Sequence, residues 1–146
     1  MSEEIIVKTL GECFEELISR IKDDDLLKSF RSRARDMPTE IFSKGLTYAL
    51  ILSASRGDLN TLQKTLIMEK CSDIIDASSK LEREAFGYTL YASILLYVLR
   101  NMGEKLGATF KEVLQNTVNN YIVAKKAFLV ADWIKRFSEA YIKTKG

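Results

Sequence analysis

Residues 86–99 read FGYTLYASILLYVL, and this stretch decides the fold. It is the most apolar segment of the chain, yet it has only fourteen residues and includes Gly87, Thr89 and Ser93. A membrane span needs about twenty apolar residues. A helix that is apolar all round but too short to cross a bilayer belongs at the centre of a helical core. Working outward, the chain of 146 residues contains one proline and seven glycines, too few turn signals for many short strands. No segment alternates with period two between turn signals, and no internal repeat or low-complexity tract is present. The expectation is an all-α fold, a single compact domain over 1–146 built as a bundle of about six helices with short loops.

Upstream, Ile6, Leu10, Cys13, Phe14, Leu17, Ile18 and Ile21 recur every three or four residues and predict an amphipathic helix from Glu3 to about Lys22. Asp23-Asp24-Asp25 supplies N-cap oxygens for a second helix to Asp36. Pro38 disfavours helical dihedrals at Met37, so a break or kink is expected there. A third helix then runs over 38–55, with Ile41, Phe42, Leu46, Ala49 and Leu50 facing inward and Gly45 allowing close backbone approach. Arg56-Gly57 ends it and Asp58 caps the next, whose apolar set is Leu59, Leu62, Leu66, Ile67, Ile74 and Ile75. Ser79 and Glu82 have capping-box spacing ahead of the central helix. After the loop GEKLGAT at 103–109, Thr109 and Glu112 have the same spacing and open one long last helix to about Lys143. On that helix Ile122, Val123, Leu129, Val130, Trp133, Phe137, Ala140 and Tyr141 form the core stripe, joined by Asn119 and Lys126. A lysine there must snorkel or meet a partner. Phe128 points away from the stripe.

Several chemistries are excluded by composition. There is no histidine, and so neither the usual general base nor the usual zinc ligand. No Gly-rich phosphate loop and no nucleophile elbow occurs, and no cofactor is expected. An enzyme would have to work with lysine, tyrosine or carboxylates alone, and a non-enzymatic role is expected. Cys13 and Cys71 are far apart with no C-x-x-C partner, which reads as two reduced thiols in a cytoplasmic protein. The start, MSEEIIVK, is acidic and lacks the apolar run of a signal peptide.

What remains is cation placement. The net charge is only +2, but residues 1–30 hold four Lys/Arg against eight Asp/Glu, while residues 100–146 hold nine against four. Three arginines, Arg31, Arg33 and Arg35, fall within five residues. Lys28, Arg31 and Arg35 share one helix face and Arg33 projects from the other. Guanidinium groups suit phosphate, which they grip through two parallel hydrogen bonds. The same arginines also suit salt bridges to Asp23–Asp25 or Asp36, and the sequence leaves both readings open. On the last helix Lys125, Asp132, Arg136 and Lys143 form a second stripe.

The segment Arg33-x-Arg35-Asp36-Met37-Pro38-x-x-Ile41-x-x-x-Gly45-Leu46-x-x-Ala49-Leu50 resembles a motif of a known family. So does the tail Ala131-Asp132-Trp133-Ile134-Lys135-Arg136-Phe137-Ser138-Glu139-Ala140. The family is the small α-helical subunit of the Cmr complex, the CRISPR RAMP module of type III-B systems. The resemblance implies a non-catalytic subunit of an RNA-guided effector, stacked in a filament beside the RAMP backbone subunits and lining the path of the target RNA. Its implied partners are the other Cmr/RAMP subunits, a CRISPR RNA–target RNA duplex or single-stranded RNA, and further copies of itself, with no membrane. On this reading Arg31, Arg33, Arg35, Lys44, Lys125, Arg136 and Lys143 contact RNA phosphates, while Asn119, Lys126 and Phe128 lie in subunit interfaces. A small subunit of a type III-A or type I effector, or a helical adaptor without nucleic acid, are the alternatives.

Overall fold

The computed structural model describes residues 2–143, and these form eight helices and no strand. They are α1 (Ser2–Arg20), α2 (Asp24–Lys44), α3 (Leu46–Arg56), α4 (Leu59–Thr65), α5 (Cys71–Ser78), α6 (Arg83–Asn101), α7 (Phe110–Thr117) and α8 (Tyr121–Tyr141). The all-α class therefore holds, while the expected count of six is two short. α6 carries the 86–99 run through the middle, buried on every side except at Tyr97. It packs against α1, α2, α3, α4, α5 and α8. Phe14, Phe30, Phe86 and Tyr91 are the largest side chains of the buried cluster around it.

Local signals explain most boundaries. Asp23 caps α2, its side chain accepting from the Asp25 N–H. Asp58 caps α4, and the Thr61 hydroxyl and N–H that it accepts hold its carboxyl below the usual range. Thr109 and Glu112 form a complete capping box at α7.

The differences from the sequence reading have physical causes. α2 runs unbroken through Pro38. A mid-helix proline costs about 3 kcal/mol in isolation. Here the buried stripe Phe30, Ala34, Met37 and Ile41 continues on both sides of it, so packing against α6 and α8 outweighs the local preference. The break falls instead at Gly45, at φ +93, with no atom within 4 Å of the position a β-carbon would occupy. Gly45 thus serves a left-handed turn, not the close approach expected of it. The close approach belongs to Gly87 of α6, where an added β-carbon would lie 2.8 Å from the Ser29 carbonyl oxygen of α2.

The segment after Asp58 forms two short helices. Arg100 donates to the carbonyls of Thr65 and Met68, and Tyr97 to that of Glu69, so α6 satisfies the backbone between α4 and α5. Ser79 does not cap the central helix. It ends α5, its hydroxyl bonded to the Asp76 carbonyl, and α6 starts after Glu82 without a side-chain cap. The expected long last helix is divided into α7 and α8. Asn119 sits at φ 57, and the Asn120 side chain caps α8 by accepting from the Val123 N–H. Asparagine tolerates the left-handed region and is a strong N-cap. With α8 starting anew, its buried face is Val123, Ala127, Val130, Ala131, Ile134 and Ser138. Ile122, Leu129 and Ala140, placed in the core by the wheel, are exposed, as are Phe42, Leu59 and Ile67.

Cys13 and Cys71 are not free thiols. They form a disulfide that ties the middle of α1 to the first residue of α5, with Cα atoms 5.3 Å apart. Arg20 braces the same pair of helices, 2.6 Å from Asp76 and 2.8 Å from Glu16.

Candidate nucleic-acid interface

α2 and α8 lie side by side and run antiparallel. Residues 24–28 of α2 adjoin 141–143 at the end of α8. Further along, Arg31 faces Glu139, Asp36 faces Lys135, and the rings of Phe42 and Phe128 lie 5.6 Å apart. This register brings the two basic stripes of the sequence, far apart along the chain, to one seam. Lys28 and Lys143 fall at one end, Arg31, Arg35 and Arg136 along the middle, and Lys44 and Lys125 at the other end.

Each proposed contact residue has a definite setting. Arg35 is exposed and bonds Asp36 at 2.9 Å. Arg136 is exposed and pairs with Glu139 at 2.9 Å, while Asp132 acts on it from farther off. Lys143 donates to the Glu139 carbonyl at 3.2 Å. Arg31 is half-buried at the seam, and its Nε has no hydrogen-bond partner. Lys44 lies 4.0 Å from Glu40 and 4.8 Å above the Tyr48 ring. Lys125 is exposed on α8 and makes no ion pair among the described residues. Arg33 differs from the rest. It turns toward α6, donates to the Tyr88 hydroxyl and lays its guanidinium 4.5 Å from that ring's centre.

Two carboxylates punctuate the seam. The Arg35 guanidinium, assisted by Arg33 and Lys135, holds Asp36 below the usual carboxylate range. Arg136, with Lys135 and Arg31, does the same to Glu139. Exposed pairs of this kind contribute little, because solvent screens them, so these arginines can exchange an internal carboxylate for an external phosphate. Of the acidic partners open in the sequence, Asp36 is used and Asp23–Asp25 are not. Glu139 was not singled out by the sequence, because only the α2–α8 register reveals its position opposite Arg31.

The residues proposed for subunit contacts are dispersed. Asn119 is exposed in the α7–α8 link. Lys126 meets a partner, Glu104 at 2.6 Å, and so pins the 103–109 loop to α8. Phe128 stands beside Phe42, which is 79% exposed. Ile122, Lys125, Lys126, Phe128, Leu129 and Asp132 line an apolar hollow of about 450 Å³ on the outer face of α8. The sequence missed Phe42 here, because its place on the wheel depended on a helix starting at Pro38. Among the described residues no cluster of His, Cys, Asp and Glu could hold a metal, and no helix is long and apolar enough to cross a membrane.

The architecture is that of a small all-α protein with a mixed-charge, cation-rich seam between α2 and α8. A family model described as CRISPR-associated protein (Cas_Cmr5) matches residues 8–141. The chain belongs to that family, the small-subunit family of the type III-B Cmr complex. The match spans both motifs on which the resemblance rested, from α2 to the end of α8. No curated protein and no solved structure matches the chain.

Proposed function

We propose that this protein is a non-catalytic subunit of the cytoplasmic Cmr effector, contacting target RNA through the α2–α8 seam. The observation that carries this reading is the convergence of two basic stripes on one antiparallel helix pair in a member of the Cas_Cmr5 family. The chemistry suits sequence-independent contact. Arg35, Arg136, Lys44 and Lys125 neutralise phosphates, while guide–target pairing reads the sequence. Subunit stacking uses the exposed apolar group on α8 and the adjoining end of α2, where Ile122, Phe128, Leu129 and Phe42 supply unpartnered area. Head-to-tail contacts of unlike faces extend into filaments instead of closing into rings.

The test is a triple variant, R35A with K125A and R136A, assembled into the complete complex. All three side chains are exposed, so the fold is retained. Expected are weaker binding of target RNA of every sequence and a shallower salt dependence, by about 0.7 in log–log slope per lost single-strand phosphate contact. Normal RNA binding and normal target cleavage by the variant complex would reject the seam as the RNA path.

A further inference from the structure

A second cationic feature lies off the seam, where α2 crosses the start of α6. The crossing is tight. The Ser29 hydroxyl donates to the Arg83 carbonyl, and Gly87 leaves no room for a side chain against Ser29. Beside the crossing the helices diverge around an open cleft of about 370 Å³. Lys28, Ser32, Arg33, Arg83 and Tyr88 line it, together with Glu82 and Glu84.

Three cations, Lys28, Arg33 and Arg83, line this small volume against two carboxylates, Glu82 and Glu84. Glu84 is engaged by Arg56 at 3.4 Å, while Asp36 pairs with Arg35 at 2.9 Å and with Arg33 at 3.6 Å. Neither Lys28 nor Arg83 makes an ion pair among the described residues. Arg33 is held in place by the Tyr88 hydroxyl and ring, so its fork is ordered before anything binds. α6 also opens here without a side-chain cap, which leaves the positive end of its dipole facing the same space.

We propose that this cleft binds one phosphate group of a polynucleotide. Arg83 offers an unpaired guanidinium fork, Lys28 a point charge and Ser32 a hydroxyl donor, with the fixed charge of Arg33 beside them, a set matched to tetrahedral oxyanion chemistry. Lys28 links the cleft to the seam, because it also lines the hollow between α2 and the end of α8 where Lys143 lies. A strand whose phosphates follow the seam reaches the cleft at Lys28. The source of the phosphate rests on the RNA reading of the seam; the cleft's anion chemistry does not.

The experiment is an amide NMR titration of the full chain with uridine 5′-monophosphate and with oligouridylate at low salt, repeated on R83E and R83Q. Arg83 is an exposed first-turn residue, where glutamate suits the helix dipole, so R83E folds. Both probes should move the amide signals of Ser32 and of Arg83 to Ala85. R83E should weaken oligouridylate binding about tenfold, as loss and reversal of one charge-assisted contact requires, and R83Q less. If oligouridylate binds but these amides stay in place and R83E binds like the parent chain, the cleft is not a phosphate site, and the seam reading is untouched. If the monophosphate moves these amides while oligouridylate fails to bind, the cleft stands and the seam reading falls.

Discussion

Arg33 stacks on Tyr88 and donates to its hydroxyl, so one of the three clustered arginines is committed to joining α2 to α6. Arg35, two residues away, is exposed and paired only with Asp36. The two should therefore separate in their effects. R33A should destabilise the fold by about 1–2 kcal/mol, through the lost charge-assisted bond and cation–π contact. R35A should change stability by well under about 1 kcal/mol. Denaturant unfolding of both variants checks this, and equal losses would contradict the division of roles.

The Cys13–Cys71 bridge closes a loop with a sequence separation of 58. Loop-closure entropy for that length is worth about 4 kcal/mol. Thermal unfolding with and without a reductant, and of the C13S/C71S variant, should show a fall of about 10 °C for a chain of this size. Both cysteines are buried, so thiol-reactive probes should label the oxidised native protein negligibly. Two titratable thiols in the folded protein would show the bridge absent.

Gly87 packs against the Ser29 backbone at the α2–α6 crossing. An alanine in a helix interior normally gains about 1 kcal/mol over glycine. At Gly87 the clash should reverse the sign, with G87A less stable by about 1–3 kcal/mol. At Gly11, where nothing lies within 4 Å of an added β-carbon, G11A should stabilise. Unfolding midpoints of the two variants should move in opposite directions.

Asp36 and Glu139 both have carboxyl pKa values lowered by adjacent guanidinium groups. A lowered folded-state pKa gives stability that is present above the unfolded value, about 4, and lost as pH falls through the folded value. D36N should flatten the acid limb of the stability profile below about pH 4 and leave the neutral-to-alkaline range parallel to that of the parent. The effect is small, because the Asp36 side chain is 46% exposed and solvent screens the pair. An unchanged acid limb would show that the Arg35–Asp36 pair does not persist in solution.

Signals carried within a few residues were legible in the sequence. The 86–99 run marked the central helix, Asp58 the cap of α4, and Thr109 with Glu112 a capping box at α7. The Asn119-Asn120 break was also local and readable, but the apolar period running across it masked it. The α4–α5 break was not readable, because its backbone is satisfied by Arg100 and Tyr97 from a helix some thirty residues on. For the site, the cations themselves were legible. Their division was not, since Arg33 and Arg35 differ only in which helix each meets.

The sequence by itself determined that the chain is helical, that its most apolar run is a core helix, and which family it belongs to. The first two follow from residue type and spacing, the third from the match of the chain to a family model over residues 8–141. Only the tertiary structure decided that Pro38 stays within one helix, that Cys13 meets Cys71, and that two distant basic stripes share one seam. Each of these depends on which surfaces pack together, and burial spread over many residues outweighs the cost of a local preference, about 3 kcal/mol even for a mid-helix proline.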